Sequence, residues 1–132
     1  MLKVTGIDTG TLANLDLYAQ YSTAAYCLNI YGNNSLAYLT CANEICPLLT
    51  TRHIEIASVF VNLSLSETTG FIALDHLQKT TIISFRGTKT VRNTLTDLLF
   101  FLTPAPTFCP TCLISLGFFT AHAESTPTIL SA

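Results

Sequence analysis

The chain has 132 residues, a formal charge of −2 and a mean hydropathy of +0.48, with 49% hydrophobic and 11% charged residues. That suits one small packed domain and excludes a disordered chain, which needs the opposite balance. Six Lys and Arg without a patch exclude the electrostatic footprint of nucleic-acid binding.

Residues 1–16 have no apolar signal core and carry Asp8 and Asp16, so no secretory signal is expected there. Residues 9–27 read as the first helix. Leu12, Leu15, Ala19, Ser22 and Tyr26 form its expected apolar stripe, with Thr9 or Thr11 as cap. Gly6-Ile7-Asp8-Thr9-Gly10 has nucleophile-elbow spacing, but with Asp at the centre and no strand before it. It reads as the approach to that helix. Residues 29–46 read as an irregular loop with a glycosylation sequon at Asn33, and a second sequon stands at Asn62.

Residues 54–66 contain a strand, placed by the alternation of Val61, Leu63 and Leu65 with polar neighbours. Residues 69–75 and 80–86 read as two strands of a hairpin whose turn holds Asp75, His76 and Lys79. The second strand, rich in β-branched and aromatic residues, runs into Arg86-Gly87-Thr88. Gly87 permits close backbone approach, and Thr88 brings two donors, a backbone N–H and a hydroxyl. Residues 89–98 alternate polar and apolar.

Residues 98–121 carry no charge. Pro104, Pro106 and Pro110 interrupt them, so no transmembrane span is expected. Residues 103–111 read as a proline-rich loop and 117–123 as helix. Thr126-Pro127 reads as a fresh helix start close to Ala132, marginal for want of packing.

His53, His76 and His122 have no nucleophile at a telling spacing, and each reads as a surface side chain; Asp75, Asp97 and Glu124 are the accompanying carboxylates. Cys41 and Cys46, and Cys109 and Cys112, read first as local disulfides. A redox pair at 109–112 and a four-thiolate zinc site are the alternatives. Cys27 is the odd cysteine.

Taken in order, Leu17-Tyr18-Ala19-Gln20-Tyr21-Ser22-Thr23-Ala24-Ala25-Tyr26-Cys27, the Cys41…Cys46 loop, Thr69-Gly70-Phe71-Ile72-Ala73-Leu74-Asp75, Ile82-Ile83-Ser84-Phe85-Arg86-Gly87-Thr88, Cys109-Pro110-Thr111-Cys112 and Ile114-Ser115-Leu116-Gly117-Phe118 resemble the N-terminal part of the fungal class 3 lipases. The resemblance covers nearly the whole chain and implies an α/β class. The expected architecture is the N-terminal portion of an α/β-hydrolase fold, with an incomplete sheet. Residues 1–132 would form one partial domain that ends before the nucleophile elbow.

That family is secreted and hydrolyses triacylglycerols or aromatic esters with a Ser-Asp-His triad and no cofactor or metal. By resemblance Thr88 is the oxyanion-hole donor. Val91, Arg92, Asn93, Thr94, Leu95, Thr96, Asp97 and Leu98 match the lid that meets a lipid surface. Cys41–Cys46 and Cys109–Cys112 match two family disulfides, and Cys27 matches a cysteine paired near the family's C-terminus. Thr94 stands where the lipases often have Trp. The chain holds no Gly-x-Ser-x-Gly, so the expectation is a lipase-like stretch that is inactive alone. Its partner would be an ester or lipid in the full-length family. The alternative is a non-enzymatic lipid- or protein-binding fragment.

Overall fold

The computed structural model describes residues 6–27, 38–61, 66–87 and 101–132. Helix α1 (Thr9–Ala24) begins at Asp8, whose carboxylate accepts from the Thr11 backbone N–H at 2.9 Å and from the Thr11 hydroxyl. The cap is therefore Asp8, not a threonine. A carboxylate offers two acceptors to the first turn and favours its positive end.

The apolar stripe expected on α1 is also corrected. Leu12, Leu15 and Tyr26 are about half exposed, and Ala19 and Ser22 are exposed too, whereas Leu17, Tyr21 and Ala24 are buried. Both sets have helical spacing, so periodicity could not choose between them. Tyr21 decides it, because its hydroxyl finds a buried acceptor across the core.

After a short 3-10 turn at Ala42–Glu44 comes α2 (Pro47–Thr51), with proline at its start. Three antiparallel strands follow in the order β1 (Glu55–Phe60), β2 (Gly70–Asp75) and β3 (Thr80–Phe85). β1 ends before the alternation that was expected to define it: Val61 already lies outside the strand, and residues 62–65 with the Asn62 sequon lie outside the described residues. β1 carries a bulge between Ile56 and Ser58.

The β2–β3 hairpin pairs Gly70 with Phe85 and Asp75 with Thr80. Central β2 is buried along nearly its whole length, the signature of a sheet covered on both faces. Register puts Ile56, Phe71, Ala73 and Ile82 on the face that joins Leu17, Tyr21 and Ala24 of α1, Leu39, Leu49 and Ile54 in the core. Gly70 packs on the other face, where a Cβ would collide with the Ser84 carbonyl and the Phe60 ring. Phe60 and Phe85 lie there too, with ring centroids 5.4 Å apart.

The proline-rich segment is not wholly loop. β4 (Leu102–Pro104) pairs with β5 (Leu113–Ser115) as a small ribbon, with Pro104 at its end opposite Leu113. Helix α3 (Leu116–Ser131) then runs unbroken through Pro127. The expected restart at Thr126 does not occur. Proline cannot donate to the carbonyl four residues back. In that turn the Thr126 hydroxyl donates to the His122 carbonyl at 2.6 Å, and the buried Ser125 hydroxyl donates to Ala121 at 2.8 Å. Glu124 also ties the helix down, accepting from the Ser66 N–H and hydroxyl at 2.9 and 2.7 Å.

Candidate functional site

Two places gather polar chemistry. The first is Asp75, buried at the start of the hairpin turn. One carboxylate oxygen accepts from the Tyr21 hydroxyl at 3.0 Å and from Arg52 at 2.6 and 3.1 Å. The other accepts the N–H groups of Leu77 and Gln78, each at 3.0 Å. Burial alone would push this carboxyl up. The Gln78 N–H, Arg52 and Tyr21 outweigh it and hold the group below its ordinary 3.8. Tyr21 is pushed well above its ordinary value by burial and by the bond to Asp75. A carboxylate so fully bonded has no lone pair left for a substrate. Asp75 is a structural knot joining α1, α2 and the hairpin. Reading the sequence as a solvated turn missed this role; an aspartate two and three residues before free turn N–H groups was the available signal.

The second place is a cleft of about 720 Å³ where β3 ends against α3. Phe85, Arg86 and Gly87 form one wall, and Gly117, Phe118 and His122 lie among those of the other. Gly87 sits under the Tyr26 hydroxyl, where a Cβ would collide with it. The Arg86 backbone N–H donates to the Thr69 carbonyl at 2.8 Å, but its buried Nε has no acceptor among the described residues. Such an orphan calls for an explanation. The cleft lies beyond the carboxyl end of β3.

Thr88 and the stretch Val91, Arg92, Asn93, Thr94, Leu95, Thr96, Asp97 and Leu98 lie outside the described residues, as does the Asn33 sequon. His53 is exposed and packs edge-on against Tyr38. His76 is exposed and meets Glu55 at 2.8 Å. His122 lies edge-on to Phe108, 5.4 Å between centroids, and no nucleophile is bonded to any of the three histidines among the described residues. Cys41 bonds to Cys46 and Cys109 to Cys112, with Cα separations of 5.7 and 5.2 Å. Paired sulfurs are neither zinc thiolates nor a reduced redox couple. Cys27 is free and buried, and burial pushes its thiol up.

The layering of α1, an antiparallel sheet and α3 is shared at length with known structures. A solved fungal lipase superposes with a TM-score of 0.82 at 32% identity, over 96% of this chain and 46% of that one. The mono- and diacylglycerol lipase of Aspergillus oryzae also gives 0.82, at 31% identity over 94% of this chain and 46% of that one. The secreted mono- and diacylglycerol lipase A of Penicillium cyclopium is 29% identical over 120 residues, which is 91% of this chain and 39% of the relative. No family model matches. The fold is therefore part of an α/β-hydrolase fold. Within that class the chain is similar to the fungal lipases, and it spans less than half the length of the relatives it matches.

Proposed function

We propose that this stretch supplies the oxyanion-loop side of a secreted carboxylic ester hydrolase acting on acylglycerols or related esters. The observation that carries the reading is the end of β3. The outer strand β3, mostly exposed but for Ser84, runs into Arg86-Gly87 beside an open cleft, with the next residue, Thr88, bearing the donors that such a loop requires. Within the whole enzyme a serine would attack the ester carbonyl, and Thr88 would donate to the oxygen as it takes up charge. The segment from Val91 to Leu98 would act as the lid.

The nucleophile is absent from these residues, which contain no Gly-x-Ser-x-Gly. The 132-residue chain alone would hydrolyse neither short nor long p-nitrophenyl esters. The test uses a protein that joins this stretch to an elbow-bearing remainder. Thr88→Val should lower kcat roughly 10²–10³-fold with little change in KM, the usual cost of one oxyanion donor. Unchanged kcat in that variant, or turnover by the 132-residue chain that survives repurification, would refute the reading.

A further inference from the structure

We propose that the exposed face of the β4–β5 ribbon, with the Cys109–Cys112 tip, is a docking surface for an uncharged lipid interface. The inference rests on the ester-hydrolase reading for its choice of lipid. Register puts Leu102 and Pro104 on one face with Leu113, and all three are exposed, while Thr103 and Ile114 of the other face are partly covered. Leu102 is 63% exposed and Leu113 59%, and at the tip Phe108 is 55% exposed. Scattered apolar side chains need no explanation, but Leu102, Pro104 and Leu113 grouped on one ribbon face do.

Two features select lipid over a protein partner. The first is charge: residues 98–121 contain no Asp, Glu, Lys or Arg. The ribbon therefore offers nothing to anionic headgroups or to the charged rim of a protein partner. The second is the backbone. Entering an apolar phase is costly for every N–H and C=O left without a partner. Here Pro104, Pro106 and Pro110 have no N–H to lose. The Ala105 N–H donates to the Cys112 carbonyl at 2.9 Å, and the N–H groups of Phe108 and Cys109 both donate to the Ala105 carbonyl, at 2.9 and 3.2 Å. The Cys112 N–H donates to the Cys109 carbonyl at 3.2 Å, across the disulfide. These bonds and the prolines lower the cost of bringing the tip to an apolar interface, where a phenyl ring and aliphatic side chains stand beside the exposed Thr107 and Thr111.

The test is sedimentation of the 132-residue chain with phosphatidylcholine vesicles containing one-tenth diolein. The chain should partition to them equally well at low and high salt. Phe108→Ser with Leu113→Ser should weaken partition roughly tenfold or more, since each removes a large apolar contact. Leu12→Ser with Leu15→Ser, on the exposed face of α1, should not. Phe108→Trp should show a blue-shifted emission quenched by brominated acyl chains; the chain has no other Trp. No partition, equal partition by the ribbon variant, equal loss in the α1 variant, or binding that needs anionic lipid and fades with salt would each overturn the proposal. Ester hydrolysis is not involved, so an unchanged kcat in Thr88→Val with ribbon-dependent binding would sink only the catalytic reading. A lowered kcat in that variant with ribbon-independent binding would sink only this one.

Discussion

At the scale of single residues, Asp75 sets the acid sensitivity of the fold. Its carboxyl lies below the ordinary 3.8 in the folded chain. A depressed carboxyl contributes stability that is fully present above the unfolded value and is lost as pH falls through the folded one. The urea midpoint should hold from neutrality to about pH 5 and then fall, and Asp75→Asn should flatten that fall. Arg52→Met leaves the carboxylate buried without its cation. It should cost about 3–5 kcal/mol at neutral pH and less at low pH, where the carboxyl protonates. A pH-independent penalty would show that the pair is incidental.

At the scale of elements, the β2–β3 hairpin was legible, and the β4–β5 ribbon and the helix faces were not. Gly70–Asp75 and Thr80–Phe85 announce themselves by β-branched and aromatic residues bounded by turn signals. α1 could be recognised, but it has two stripes of helical spacing, and only the distant Asp75 reveals which one is inside. α3 was read as two pieces because proline is a breaker. Just before the proline, Glu124 is tied to the Ser66 N–H and hydroxyl, a long-range anchor no periodicity displays. The cleft wall at Arg86-Gly87 was readable as a strand end, whereas the orphaned Arg86 Nε is visible only in three dimensions. That orphan supports a prediction. In the 132-residue chain Arg86→Met should change the urea midpoint by less than about 0.5 kcal/mol equivalent. In a protein that also carries the remainder of the hydrolase, the Nε would gain its acceptor and the same change should cost about 1–3 kcal/mol. Equal costs in both would show that the cleft wall is complete as it stands.

At the scale of the whole molecule, the sheet is covered on both faces at its central strand and left open along β3. Tyr21, Phe71, Leu39, Leu49 and Ile54 are fully buried, while Phe118, Ile83 and Phe85 remain 61%, 44% and 49% exposed on or beside β3. β3 is the outer strand of the sheet among the described residues. An outer strand with apolar neighbours invites edge-to-edge pairing. The 132-residue chain should therefore self-associate, with a sedimentation coefficient that rises with concentration through the micromolar range. Joining the remainder of the hydrolase should abolish the rise. A monomer at every concentration would show that β3 is protected.

The bonds that seat α1 have a consequence for how the chain is made. The Tyr21 hydroxyl waits for Asp75, 54 residues later, and the Tyr21 carbonyl waits for the Ser84 hydroxyl, 63 residues later. A lone helix of 16 residues is marginal in water. At ribosomal speeds, 63 residues take on the order of 3–13 s. Until the hairpin is made, α1 can meet only α2, whose Leu48 N–H donates to the Gln20 side chain at 2.9 Å, and the side that joins the sheet stays open to solvent. Leu17 and Tyr21 are then as available to a holdase as Leu12 and Leu15. Only completion of the hairpin separates the stripe that becomes core from the stripe that stays outside.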